Sequence, residues 1–112
     1  MMSTIAKGSA WRLLVQRWAE SHGWPVTVRG IGFAGDDIRI DAGGPMLSVE
    51  CKNVVSMKGL SGWVDQAAAN CPAGWIPVVV AKRRGRAAAE DGYAIMRLGD
   101  FGRLCETTPG GR

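Results

Sequence analysis

The stretch from Met46 to Lys52, Met-Leu-Ser-Val-Glu-Cys-Lys, most constrains what this chain can fold into. If it is a strand, successive side chains point to opposite faces. Leu47, Val49 and Cys51 are then expected to face a core, while Ser48, Glu50 and Lys52 share the other side. A carboxylate and an ammonium on one face admit two readings. As a solvated ion pair they contribute only a few tenths of a kcal/mol. As a metal ligand and the cation that works beside it, they need partners elsewhere in the chain.

The segments around this strand predict an α/β fold. Ser9 is a candidate N-cap, and Trp11, Leu14, Val15 and Trp18 follow at the spacing of one helical stripe. Gly23 and Pro25 end that helix. Val26 to Arg29 reads as a short strand and Asp37 to Asp41 as another, with a glycine-rich turn between them. A second turn, Ala42 to Pro45, joins the latter to the Glu50 strand as a hairpin. Leu60, Trp63, Val64, Ala67 and Cys71 form a second helical stripe, with Gln66 and Asn70 on its flank. Trp75 to Ala81 is apolar throughout, as in a strand buried on both faces. Tyr93 to Leu98 reads as a returning strand and Asp100 to Leu104 as a short closing helix. One domain over residues 1–112 is expected, with its core at about residues 7–105, a loose leader over 1–8, and a disordered tail over 106–112.

Composition narrows the functional classes. The net charge is +4 and the pI about 9.3, which suits an acidic partner. No apolar run reaches the roughly 18 residues of a membrane span, and no signal-peptide core is seen, so a soluble cytoplasmic protein is expected. Three separated cysteines and one histidine argue against a disulfide framework, a zinc site or a thiol nucleophile.

Asp37 is the natural partner for Glu50, because cross-strand neighbours lie only about 5 Å apart. By strand parity Asp36 is expected to point to the apolar side, and Asp41 stands as an auxiliary acid. Two carboxylates are hard oxygen ligands suited to magnesium or manganese. Lys52, on the same face, would orient water or neutralise developing charge. Lys82, Arg83, Arg84 and Arg86 fall within five positions between two strands. Such a run is either a solvated loop or, beside a site that handles phosphate, a phosphate-contacting one.

Asp37-Ile38, a hairpin, and Val49-Glu50-Cys51-Lys52-Asn53 together resemble the PD-(D/E)xK nuclease superfamily. More narrowly, the chain resembles the small Holliday junction resolvase-like endonucleases of actinobacterial phages. Leu60 to Trp63 with Gln66, and Val78 to Arg86 running into Asp91-Gly92-Tyr93, match later segments of that group. The resemblance implies a restriction-endonuclease-like core, a mixed sheet flanked by helices in the order αβββαβ, followed here by a further strand and a short helix. It implies magnesium-dependent hydrolysis of branched DNA by a homodimer, in the cytoplasm of a bacterial host if the chain is phage-encoded. It assigns Asp37, Glu50 and the Cys51 backbone carbonyl as metal ligands, Lys52 as the catalytic lysine and Gln66 as an assisting polar group. Relatives often carry a glutamate on the first helix where this chain has Arg12. That departure leaves open a weakened or silent DNA-binding module, and a nuclease acting on linear or nicked DNA is a third reading.

Overall fold

The computed structural model describes residues 4–29 and 35–107. The elements run α1 (Thr4–Ser21), β1 (Val26–Val28), β2 (Ile38–Asp41), β3 (Met46–Lys52), α2 (Leu60–Asn70), β4 (Ile76–Ala81), β5 (Tyr93–Ile95) and α3 (Leu98–Glu106). A single 3₁₀ turn, Ala89–Asp91, precedes β5. The five strands form one sheet in sequential order, β1-β2-β3-β4-β5. Only β3 and β4 are parallel, and the other three pairings are antiparallel. The parallel pair needs a crossover, and α2 supplies it. This is the α/β architecture expected from the sequence, a mixed sheet flanked by helices.

Both faces of β3 are covered. On one face Ile38, Ile40 and Val49 pack with Trp11, Val15 and Ala19 of α1, and Leu47, Cys51 and Val80 border the cluster. On the other lie Ser48, Glu50 and Lys52, with α2 above them. Ser48 and Glu50 are buried although polar, so the strand is amphipathic in sequence and enclosed in fact.

Trp11 fixes α1 on the sheet. Its ring is buried, and its indole N–H donates to the Val80 carbonyl at 3.1 Å. Gly92 makes room for it. A Cβ there would fall 2.9 Å from Trp11 Cη2 and 3.0 Å from the Ala81 carbonyl oxygen. Since neither the buried ring nor the strand backbone yields easily, Gly92→Ala is expected to destabilise the fold by about 1–3 kcal/mol. Chemical denaturation measures this, and unchanged stability would show that the ring or the strand shifts freely.

Several local expectations are corrected. Ser9 is not a cap: α1 already runs from Thr4, so Ser9 sits inside the helix. Leu14 is exposed, and Ala19 takes its place in the buried stripe with Trp11 and Val15, because the helix presents a narrow i, i+4, i+8 ridge to the sheet. The last strand is shorter and the last helix longer than expected, with α3 starting at Leu98. Asp100 explains the helix start. It lies in the first turn, where a carboxylate suits the dipole, and it is held by Arg97 at 3.0 Å and Arg103 at 2.8 Å. The expected tail overlaps this helix at Glu106, and residues 108–112 lie outside the described residues, as do residues 1–3 of the expected leader and 30–34 of the turn before β2.

Candidate active site

The site forms at the end of β3 that carries Lys52. Asp37 is half-buried just before β2, and its backbone N–H donates to the Val49 carbonyl at 3.0 Å. Its carboxylate oxygen Oδ2 accepts the Cys51 N–H at 2.8 Å. In an antiparallel ladder the N–H and C=O of one residue point the same way. The Cys51 carbonyl therefore also points toward the β2 side, at a level where Asp37 has replaced the strand.

Glu50 lies beside Asp37 on the α2 face. Lys52 Nζ is 3.8 Å from Glu50 Oε2, and the same ammonium sits 5.8 Å from the centre of the Trp63 ring. Trp63 lies close because Gly59 has no side chain, for a Cβ at Gly59 would be 2.7 Å from the indole nitrogen. The second Glu50 oxygen, Oε1, is buried without a hydrogen-bond partner. Burial, followed by the negative charge of Asp37, pushes the Glu50 carboxyl up to about 7, against the opposing pull of Lys52 and of the Asn70 side chain. The Cys51 thiol is pushed up by burial first and then by Asp37 and Glu50, with Arg12 pulling it back. It is a core thiol held protonated, unsuited to nucleophilic attack.

Asp36 departs from strand parity. It is buried with Ser48 on the α2 face, accepting the Ser48 hydroxyl at 2.7 Å and the Arg39 Nε–H at 2.9 Å through Oδ2. Its other oxygen lies 3.4 Å from Arg29 Nε. Alternation fails because the backbone bends at Gly35 and Asp37 before β2 begins. Asp41, at the far end of β2, accepts the Gly43 N–H at 3.0 Å as a turn cap. It is remote from Lys52.

Gln66 is exposed on α2, and the amide whose influence reaches Glu50 is Asn70, one turn further on. Helical spacing placed both on the same flank and gave no means of choosing between them. Lys82 begins the basic loop at this same end, its N–H donating to the Lys52 carbonyl at 2.9 Å. Arg83, Arg84 and Arg86 follow in an exposed turn closed by the Arg86 N–H to the Arg83 carbonyl at 3.1 Å, with Gly85 at φ 80°. The structure thus brings Asp37, Glu50, the Cys51 backbone and Lys52 together, with the basic loop leaving from beside them. Among the described residues, no group of three or more His, Cys, Asp or Glu side chains gathers as a metal site.

The sheet order, its one parallel pair and the flanking helices are consistent with a restriction-endonuclease-like core. A solved structure shares this fold: the Holliday junction resolvase Hjc of the archaeal hyperthermophile Archaeoglobus fulgidus. The TM-score is 0.50 at 22% identity, covering 72% of this chain and 68% of that one. No protein-family model matches the chain, and no curated protein matches it in sequence. The likeness is one of fold alone. Among the described residues no helix is long and apolar enough to cross a membrane.

Proposed function

We propose that this chain is a metal-dependent, structure-selective endonuclease that hydrolyses phosphodiester bonds in branched DNA. The observation that carries the reading is the buried Glu50 oxygen without a hydrogen-bond partner, beside the Asp37 carboxylate and within reach of Lys52. Burying a carboxylate this way is costly unless a cation joins it. Two carboxylates and the Cys51 backbone carbonyl are hard oxygen donors that fit magnesium, or manganese, with water completing the shell. Such an ion, when bound, lowers the pKa of coordinated water and offsets charge on the phosphoryl group. Asp37 and Glu50 would hold it. Lys52, steadied by Trp63 and Glu50, would hold the attacking water or the developing oxyanion in place. Gln66, from the exposed side of α2, would contact the substrate rather than the buried carboxylate.

The preference for branched DNA, the homodimer that would cut two strands, and the kinship with actinobacteriophage enzymes belong to the same proposal. The test is magnesium-dependent cleavage of labelled four-way junctions, compared with flaps, nicked DNA and linear duplex. Selective cutting of junctions supports it, and equal cutting of linear duplex moves the assignment to a general nuclease of this fold. A second reading, a silent DNA-binding module, draws on the cation Arg12 at the site. Junction binding without cleavage in magnesium or manganese would establish that reading instead.

The loop Lys82 to Arg86 would grip the DNA backbone without taking part in bond breaking. Replacing Arg83, Arg84 and Arg86 by alanine should weaken binding to junction and duplex alike. It should also lower the log–log salt slope by roughly one for each phosphate no longer neutralised. Single-turnover cleavage at saturating protein should persist. Unchanged affinity and slope would make the loop a solvated turn.

A further inference from the structure

We propose that Arg12 is a phosphate ligand, reaching the substrate from the α1 side of the sheet while Lys52 reaches it from the α2 side. The inference rests on the nuclease reading and adds a substrate-binding residue to it.

Position comes first. Trp11, the preceding residue, donates to the Val80 carbonyl and abuts Gly92, which also adjoins the Ala81 carbonyl, while Ala81 is paired with Lys52 across the β3–β4 ladder. The first half of α1 is thereby pinned at the end of the sheet that carries the site. Arg12 is close enough to Cys51 for its charge to act on that thiol. The Cys51 backbone is what binds Asp37.

The state of the guanidinium is the second observation. Arg12 is half-buried, and its Nε is shut off from solvent without a hydrogen-bond partner. Arg29, Arg39, Arg97 and Arg103 each pair with an aspartate. Among the described residues no carboxylate lies within ion-pair distance of Arg12. A shielded cationic donor is costly without an anion, and the planar fork of arginine matches a phosphate. The carboxylates nearby draw a divalent ion, so the anion that reaches Arg12 is the phosphodiester itself. Such an arrangement supplies with a side chain some of the positive charge that a second metal ion would otherwise provide.

A chemical double-mutant cycle tests this. Four-way junctions carrying single neutral methylphosphonates at successive positions are bound by wild type, Arg12→Ala and Arg12→Lys, with calcium in place of magnesium. Removing one charge-assisted hydrogen bond should weaken binding about tenfold to a hundredfold. At one position the methylphosphonate should weaken wild type by that factor and leave Arg12→Ala unaffected, the signature of coupled partners. Arg12→Lys should recover part of the affinity. Thermal unfolding of each variant separates a folding defect from a missing phosphate interaction. Arg12→Glu, assayed without DNA, should bind manganese more tightly while binding junction less well. Additive effects at every methylphosphonate position would overturn the role of Arg12 and leave the nuclease reading intact. Failure of wild type to bind DNA would remove both.

Discussion

Glu50→Gln is expected to abolish magnesium-dependent cleavage, by roughly three orders of magnitude or more, while making the metal-free protein more stable at neutral pH. The two effects share one cause. The isostere keeps the shape of a side chain buried beside Val79 and α2 but cannot carry the ligand charge. Wild-type Glu50 bears a desolvation penalty that glutamine avoids, and its carboxyl is raised from 4.5 to about 7. Below about pH 4.5 both folded and unfolded states hold the proton, and ionisation costs the fold nothing. As pH rises from there, the unfolded chain ionises first and stability falls. The loss is complete once pH exceeds the folded value of about 7, and is on the order of 3 kcal/mol. Urea denaturation of the metal-free proteins should therefore coincide near pH 4.5 and diverge by pH 8, with the variant more stable. Adding magnesium or manganese should then stabilise wild type and leave the variant unchanged. Lys52→Ala should also stop cleavage, and the double variant should be little worse than either, as for residues acting together. A variant that cuts in magnesium would remove Glu50 from the site. Parallel pH–stability curves would show that its carboxylate is not the strained group.

Much of this was legible because burial and chemistry followed the same period. Alternation along β3 put Val49 on the core face and Glu50 on the opposite one, and the structure keeps that division. The burial of Glu50 comes from α2 closing over its face, which alternation does not foretell. The stripe of α2 was readable because Ala67 and its neighbours pack mainly on β4, which is apolar throughout, while the polar residues of β3 lie beside that contact. Periodicity failed where the backbone leaves its element. Asp36 sits one residue ahead of a bend, and its side chain turns to the face that alternation denied it. Gln66 and Asn70 differ by about one helical turn, and only the crossing of α2 over β3 decides which approaches Glu50. The unpaired state of Arg12 has no local signal at all, because it depends on which carboxylates the sheet leaves within reach.

The adjacent aspartates should therefore behave as opposites. Asp36→Ala is expected to destabilise the fold by about 3–5 kcal/mol, the scale for breaking a buried ion pair from one side. Asp36 is only 4% exposed, and its carboxylate serves Ser48, Arg39 and Arg29 together. Removing it leaves the buried Ser48 hydroxyl without its acceptor and takes their shared carboxylate from Arg39 and Arg29. Arg39 is further held by the Trp75 ring, whose centre lies 5.3 Å from the guanidinium carbon, so it cannot simply swing into solvent. Asp37→Ala should cost far less stability, because the carboxylate is half-buried and water can reach the Cys51 N–H it leaves behind. It should also relieve Glu50, whose carboxyl it helps to raise, and so shrink the stability that the metal-free protein loses as pH rises past 4.5. Cleavage should fall as far as in Glu50→Gln, and divalent-ion stabilisation should vanish. Asp36→Ala, studied below its lowered unfolding temperature, should still bind the ion and cut. If Asp37→Ala unfolds the protein while Asp36→Ala leaves stability intact and ends ion binding, the ligand belongs to Asp36, and strand geometry has assigned the wrong one of the pair.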